Sequence, residues 1–247
     1  MTSLYELDLF KLNTLCNSDV NTIDNLYNQH IHSRYFSPHS FKEQNKYVID
    51  NDDDSFSIFH NNLISLSKNF ENLQSSILDE LSFNFNTIGI TETKINDSNW
   101  ESAEFSLHGY EFEFVPTPLA FGGVGMFIDE TLHYTILEKT SNKAFQALWI
   151  ELSFASKKNI ICGIIYRQHN SPERFLEYFE QTLEKFISTG KNVCVMGDFN
   201  LCLLKSEVSE FSHNFLLSLQ SFYLIPTIDK PSRVCGNSAS LVDNICK

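Results

Sequence analysis

The sequence contains few basic residues, no paired cysteines and no long hydrophobic run. No apolar stretch among its 247 residues approaches the roughly 20 residues that span a bilayer, and its first residues lack the basic and apolar regions of a signal peptide. Its six cysteines form no CxxC pair, so neither a zinc site nor a disulfide framework is indicated. We therefore expect an intracellular protein with reduced thiols, without zinc and without membrane association.

The charge balance is acidic. Eighteen Lys and Arg residues against 31 Asp and Glu residues give a formal net charge of −13, whereas proteins that grip nucleic acid usually present a basic surface. We therefore expect any binding to DNA to be weak. The acidic balance does not exclude a phosphodiesterase, because carboxylates that hold a metal ion contribute to it.

Residues 1–54 differ in composition from the rest of the chain. They are rich in Asn, Asp, Ser and His and end in an acidic run at 51–54. We interpret them as a polar N-terminal extension or linker, because the acidic run lacks the spaced ligands and the glycine of an EF-hand. His30 and His32 have no second pair at the spacing of a zinc site. Residues 55–247 carry the strand and helix patterns of a folded domain.

Hydrophobic patterns in this second part predict an α/β domain. A strand at 55–60, a helix from about Ser67 and a strand at Thr87–Thr91 come first. Five strand-like runs then predict an antiparallel meander at 110–115, 123–128, 134–138, 147–154 and 159–166.

The clearest helical pattern follows the meander. Ser171 is suited to the N-cap, Pro172 to the first helical position, and Gly190 to the end of the helix. This helix connects the last strand of the meander to an apolar strand at 191–196, which predicts a strand-helix-strand crossover over a sheet. Two further elements are predicted, a helix at 209–222 and a strand at 240–245.

Polar side chains stand where several of these strands end. Glu92 follows the second strand, and Tyr166 closes the last strand of the meander. Asp198 and Asn200 follow the apolar strand in a glycine turn. Loops beyond the ends of buried strands often carry catalytic groups, but turn chemistry alone also explains Asp and Asn there, and a lone acid or tyrosine is commonly structural. Asp243 interrupts an apolar run, where a carboxylate needs a partner.

Six short motifs follow one another along the chain. They are Asn62 after the first strand, Thr91-Glu92-Thr93, Gly122-Gly123-Val124-Gly125, Ile165-Tyr166-Arg167, Gly197-Asp198-Phe199-Asn200 and Leu241-Val242-Asp243-Asn244. In this order they resemble the endonuclease/exonuclease/phosphatase superfamily, and more narrowly the endonuclease domain of LINE-type, non-LTR retrotransposons. The resemblance covers about residues 55–247, and six ordered motifs are more specific than any one of them.

The resemblance implies a four-layer α/β/β/α sandwich with two mainly antiparallel sheets, and Mg²⁺-dependent hydrolysis of a phosphodiester in DNA, with Mn²⁺ as an alternative ion. It implies that Glu92 binds the metal with Asn62 beside it. It also implies that Asp198 orients or deprotonates the attacking water, that Asn200 holds phosphate or water, and that Tyr166 donates to a phosphate oxygen. The residue types suit these roles, because Mg²⁺ prefers one or two carboxylates with waters and a neutral phenol is a donor.

The sequence also departs from the family pattern. The family continues to a Ser-Asp-His-like motif whose histidine contacts the scissile phosphate and pairs with the carboxylate matching Asp243, whereas this sequence ends at Lys247. The family usually has an arginine shortly after its first asparagine, where Ile64 stands here. We therefore expect a domain without its last strand and motif, with an unpaired sheet edge. The loss of one preorganised group lowers a rate by roughly two to three orders of magnitude.

The sequence thus predicts a weak or incomplete Mg²⁺-dependent DNA endonuclease domain derived from a non-LTR retrotransposon. Two alternatives stay open. One is a catalytically inactive remnant that keeps the fold, and the other is a phosphatase of the same superfamily that acts on a small phosphoester or a lipid headgroup.

Overall fold

The computed structural model describes residues 33–45, 56–99, 105–155, 157–169, 172–236 and 238–247. A first sheet contains the strands β1 (Ile58–Asn62), β2 (Thr87–Thr91), β3 (Tyr110–Val115) and β4 (Val124–Asp129). Their order across the sheet is β1-β2-β4-β3. β1 and β2 are parallel, and β4 is antiparallel to both of its neighbours.

The remaining strands form a second sheet and a separate ribbon. They are β5 (His133–Ser141), β6 (Phe145–Ser153), β7 (Ile160–Arg167), β8 (Asn192–Asp198), β9 (Arg233–Cys235), β10 (Ser238–Ser240) and β11 (Asp243–Cys246). The second sheet has the order β11-β8-β7-β6-β5, and β9 pairs with β10 in the ribbon. Within the second sheet β7 and β8 are parallel and the other pairs are antiparallel.

The helices predicted from about Ser67, after Ser171 and at 209–222 are present, and a further helix at Pro38–Asn45 was not predicted. The helices are α1 (Pro38–Asn45), α2 (Leu66–Asn72), a π-helical continuation (Leu73–Leu78), α3 (Asp79–Leu81), α4 (Pro172–Ile187) and α5 (Glu210–Ser221), with a short 3₁₀ helix at Leu203–Lys205. α4 connects β7 to β8, as the predicted crossover requires. Ser209 caps α5 because its hydroxyl accepts a hydrogen bond from the Ser212 N–H. The predicted N-cap Ser171 lies outside the described residues.

The buried hydrophobic side chains of the described residues form three cores, one of which lies between the two sheets. In that core, side chains of β4 pack with those of β6, β7 and β8, so the two sheets face each other. Gly89 in β2 permits a close approach there, because a Cβ at that position would collide with the Met196 side chain of β8. A second core joins the outer face of the second sheet to α4 and α5 through Phe175, Phe179 and Phe215. The predicted α/β class with two mainly antiparallel sheets is confirmed.

The predicted single meander is wrong. β3 and β4 lie in the first sheet, whereas β5, β6 and β7 lie in the second. The chain passes between the sheets in the turn at 130–132. Hydrophobic alternation shows that a segment has a buried face, but it does not show which sheet covers that face.

Two expectations for the C-terminal strand are also wrong. The run at 240–245 is not one strand, because β10 ends at Ser240 and β11 begins at Asp243. The outer edge of β11 is paired, since the Ile225 N–H donates to the Lys247 carbonyl at 2.8 Å and the Thr227 N–H donates to the Ile245 carbonyl at 2.8 Å. These hydrogen bonds satisfy backbone groups that we expected to be free.

Part of the N-terminal region packs against the domain. The Phe41 ring of α1 lies 5.7 Å from the Phe83 ring in an edge contact, and the Tyr35 hydroxyl donates to the Pro231 carbonyl at 3.0 Å. The predictions for residues 1–32 and 46–54 lie outside the described residues. The boundary between extension and domain at residue 54 stays a prediction.

The described cysteines are in the reduced form, as the sequence predicted. Within the described ranges the cysteines are free, and three of them, Cys162, Cys194 and Cys246, are buried. No helix among the described residues has the length and apolar character needed to cross a membrane.

Candidate active site

The six predicted site residues meet at one edge of the two facing sheets. Asn62 is the last residue of β1, and Glu92 directly follows β2, the parallel neighbour of β1. In the second sheet the register places Asp198 beside Tyr166 of β7 on one side and Asp243 of β11 on the other. Because parallel strands end at the same sheet edge, strand-end positions far apart in sequence become neighbours here.

Asn62 connects the two sheets through hydrogen bonds. Its amide nitrogen donates to Glu92 Oε1 at 2.9 Å and to Asp198 Oδ2 at 2.8 Å. Its amide oxygen accepts the N–H of Ile64 at 3.1 Å. In this arrangement Asn62 presents a donor between two carboxylates, and the oxygen that would bind a metal ion is engaged with the backbone.

Asp198 is the most enclosed acid of the site, with no exposed surface. Its Oδ1 accepts the backbone N–H of Asn200 at 3.0 Å, and its Oδ2 accepts from Asn62 and from Arg233 Nη2, the latter at 2.7 Å. Burial, followed by the charge of Asp243, raises the pKa of Asp198 to about 6, while Arg233 opposes this shift. A carboxylate with such a pKa can exchange a proton near neutral pH.

Asn200 is fixed by the loop that follows β8. Its amide nitrogen donates to the Arg167 carbonyl at 2.6 Å, and the buried Arg167 guanidinium returns a hydrogen bond to the Asn200 carbonyl at 2.7 Å. One N–H of this amide is therefore engaged with the backbone, and the Asn200 side chain also hydrogen-bonds Tyr166. The Arg167 side chain holds the loop rather than lining the site.

Tyr166 is buried beside the acids. Burial, with the charges of Glu92 and Asp198 adding to it, raises the pKa of the Tyr166 hydroxyl to about 12. The phenol therefore stays protonated at neutral pH, which suits the predicted donor role.

Asp243 lies across from Asp198 and is held by Ser232. The Ser232 hydroxyl donates to Asp243 Oδ2 at 2.9 Å, and Arg233 Nε lies 4.0 Å from the same oxygen. Asp243 Oδ1 is buried and has no hydrogen-bond partner among the described residues. Burial raises the pKa of the Asp243 carboxyl. In the described residues no hydrogen bond or ion pair joins Asp243 to a histidine.

Two further residues, Arg233 and His60, lie in this cluster and were not predicted from the sequence. Arg233 comes from the β9–β10 ribbon and pairs with Asp198, and no motif in the sequence marked it. His60 lies two positions before Asn62 in β1, and its Nε2 lies 3.2 Å from Thr91 Oγ1. Burial lowers the pKa of His60 to about 4, so its imidazole is neutral at pH 7. The period of two along a strand was the signal that places His60 and Asn62 on one face.

The backbone around the site is strained at three positions. Ile64, Glu92 and Asn200 have φ angles of 61°, 53° and 49°, in the left-handed region. Asn tolerates this region, but a β-branched residue such as Ile rarely adopts it. Such strain accumulates at sites whose surroundings fix the backbone for function.

The donor set suits a hard divalent cation. The described residues contain no group of three or more His, Cys, Asp or Glu side chains arranged as a metal cage. Mg²⁺ does not require one, because it binds through one or two carboxylates and keeps several waters. Glu92, which is partly exposed, fits such an ion as it stands, and the amide oxygen of Asn62 would fit it after release from the Ile64 N–H.

Solved structures of other proteins share the architecture of this chain. No protein-family model and no curated protein matches the sequence. Among solved structures, the AP endonuclease LMAP from Leishmania major superposes with a TM-score of 0.62 at 11% sequence identity, covering 96% of this chain and 89% of that one. The chain has the fold of these nucleases.

Two further structures share this fold. The endonuclease domain of TRAS1, a telomere-specific non-LTR retrotransposon, superposes with a TM-score of 0.55 at 12% identity, covering 77% of this chain and 83% of that domain. TDP2 of D. rerio, solved with a single-strand DNA product, superposes with a TM-score of 0.52 at 13% identity, covering 78% and 84%. These superpositions show that the fold is shared. Sequence identities this low do not extend the chemistry of those proteins to this chain, because one fold can carry many functions.

Proposed function

We propose that this chain is a Mg²⁺-dependent phosphodiesterase that cleaves DNA, in the manner of a retrotransposon endonuclease domain. The observation that carries the proposal is the hydrogen-bonded group Asn62, Glu92 and Asp198 at the ends of three strands. A phosphodiester hydrolase needs a metal-binding acid, a second acid near the attacking water, and neutral donors for the phosphate. This sheet edge contains all of these group types.

Glu92 would hold the metal ion, with Asn62 beside it. Mg²⁺ would stabilise the negative charge that develops on the phosphate and the leaving oxygen. The contact between Asn62 and Glu92 involves the amide nitrogen, so a rotation of the Asn62 side-chain amide would turn its oxygen toward the ion. The Ile64 N–H, which now donates to that oxygen, would lose its partner.

Asp198 would orient the attacking water and accept its proton. Its pKa of about 6 makes it ionised yet basic near neutral pH. Asn200 positions this carboxylate through its backbone N–H and offers its amide oxygen to the water. The protonated Tyr166 hydroxyl would donate to a non-bridging phosphate oxygen.

Nicking of supercoiled plasmid at low salt with Mg²⁺ tests the proposal. Low salt is used because it strengthens contacts between individual basic side chains and phosphate, and this chain has 18 Lys and Arg residues against 31 Asp and Glu residues. We expect the chain to convert supercoiled to nicked circles, and Asp198→Ala to abolish the reaction. Asp79→Asn, which neutralises an exposed acid on α3, is the matched control and should keep full activity.

The outcomes separate the interpretations. Nicking that survives Asp198→Ala would come from a contaminant or another site. A chain that folds but does not nick would be a catalytically inactive copy of the domain. Hydrolysis of a soluble phosphomonoester without any nicking would identify a phosphatase.

A further inference from the structure

Arg233 is a cation placed directly on the acids of the site. Its Nη2 donates to Asp198 Oδ2 at 2.7 Å, and its Nε lies 4.0 Å from Asp243 Oδ2. The Arg233 side chain is 44% exposed, whereas Asp198 has no exposed surface. The guanidinium therefore contacts the buried carboxylate while it is partly exposed to solvent, and its hydrogen bond to Asp198 uses one of its five N–H groups.

Hydrogen bonds hold the segment just before Arg233 in place. The Ser232 hydroxyl accepts the N–H groups of Val242 and Asp243, each at 3.2 Å, and the Ser232 N–H donates to the Ser240 carbonyl at 3.0 Å. The preceding residue, Pro231, receives the hydrogen bond from Tyr35. A guanidinium on such a support loses little conformational freedom when it binds a ligand.

Arg167, the other arginine at these strand ends, does not offer the same function. The Arg167 guanidinium is buried and donates to the Asn200 and Phe199 carbonyls. Ile64, which carries no charge, stands where the family that this sequence resembles usually has an arginine. Among the described residues, the ion pairs of the site acids involve Arg233. A phosphodiester that approaches Glu92, Asp198 and Asp243 brings a negative charge close to three carboxylates. It therefore needs a positive partner in addition to a metal ion, because like charges repel at short range.

We propose that Arg233 is a phosphate-binding residue of this site, which donates an N–H group to a non-bridging oxygen of the bound phosphate while it stays paired with Asp198. The inference rests on the proposed phosphodiesterase function and adds a residue to it. Guanidinium groups suit this task because their planar fork matches phosphate geometry and their charge does not titrate. The contact to Asp198 orients the fork, and Asp243 supports it from the second side.

Inorganic phosphate provides a probe that does not depend on catalysis. Thermal unfolding is followed at constant ionic strength, with Mg²⁺ present, while phosphate replaces chloride. We expect phosphate to raise the unfolding temperature of the wild-type chain, because a ligand that binds the folded state stabilises it. Arg233→Ala and Arg233→Gln should lose this response, and Arg233→Lys should keep part of it. Lys230→Ala is the matched control, because it removes a positive charge three positions earlier and outside the site.

Plasmid nicking gives the second readout. Arg233→Gln should reduce kcat/KM by roughly 10- to 100-fold, the range for one hydrogen bond to a charged group, with Lys230→Ala unchanged. The glutamine variant keeps a donor for Asp198, so it separates phosphate binding from support of the fold. Its phosphate response decides the question if the alanine variant does not fold.

The two readouts distinguish this inference from the proposed function. An Arg233-dependent phosphate response without nicking would support Arg233 and refute the nuclease. Nicking together with an unchanged phosphate response in Arg233→Gln would support the nuclease and overturn the assignment of Arg233. If both neutral variants fail to fold, Arg233 is a structural counter-ion and the assignment is wrong.

Discussion

Replacing Asn62 with Asp probes the charge arrangement on which the site depends. The wild-type amide is a donor to Glu92 Oε1 at 2.9 Å and to Asp198 Oδ2 at 2.8 Å. The substitution exchanges this donor for a third carboxylate of similar size. Two unit charges 2.8 Å apart repel by about 6 kcal/mol at an effective dielectric constant of about 20. At neutral pH we therefore expect one of the three carboxyl groups to keep a proton or to move away.

Asn62→Ala measures how much stability is lost when the hydrogen bonds of Asn62 are removed without adding a charge. It removes two hydrogen bonds to charged groups, which contribute about 1.5–3 kcal/mol each. Asn62 is partly exposed, so water can replace it in part and the lower limit applies. The sum of about 3 kcal/mol corresponds to a loss of roughly 6–12 °C in Tm for a chain of this size. Asn62→Asp should lose at least as much in metal-free buffer, because repulsion is added to the lost donors.

The two variants should then respond differently to Mg²⁺. A cation bound among three carboxylates offsets their repulsion, so Mg²⁺ should raise the Tm of Asn62→Asp more than that of Asn62→Ala. Thermal unfolding followed by circular dichroism, with EDTA or with MgCl₂, measures both effects. If Asn62→Asp unfolds at the wild-type temperature in EDTA, or if Mg²⁺ shifts the two variants equally, these side chains do not form one charged cluster.

Three further predictions concern the proposed metal ligand Glu92, the buried titratable groups and the strand β8. Glu92→Gln should abolish the stabilisation by Mg²⁺ while the circular dichroism spectrum stays unchanged; an unaltered metal-induced shift in Tm would remove Glu92 from the metal site. In metal-free buffer, His60→Gln should reduce the loss of stability between pH 6.5 and about 4, because the folded state holds the pKa of His60 near 4, below its ordinary 6.5, and unfolding therefore takes up a proton. Asp198→Asn should make the same loss steeper, because the pKa of Asp198 is raised from 3.8 to about 6 and the folded state gains relative stability as it binds that proton; urea unfolding across this pH range measures both slopes, and equal slopes in all three proteins would contradict the assignment. Gly197→Ala should destabilise the chain by about 1–3 kcal/mol and abolish nicking, because a Cβ there would overlap the Ile165 carbonyl oxygen and push β8 away from β7; a Gly163→Ala variant, whose Cβ would meet the Trp149 ring in the neighbouring strand pair β6–β7 instead of backbone, is the control for loss of packing alone.

Local patterns in the sequence predicted most individual elements. The strand at Thr87–Thr91 and that at Tyr110–Val115 have the predicted bounds. α4 starts at Pro172, the predicted first helical position, and its Phe175, Phe179 and Phe186 side chains are buried in the core. These predictions succeed because the periods of helices and strands are properties of neighbouring residues. The sheet partners are not, and the predicted single meander is in fact divided between two sheets.

The candidate site shows the same division. The sequence alone determined that Glu92, Asp198 and Tyr166 stand at strand ends, because a buried apolar run followed by a polar turn is readable locally. It did not determine that Asn62 donates to both acids, or that Arg233 comes to rest on Asp198, 35 positions earlier in the chain. Those contacts depend on how the two sheets face each other and on where the β9–β10 ribbon lies. Tertiary packing decides them, because a short-range ion pair or hydrogen bond forms only after long-range docking has brought its two partners together.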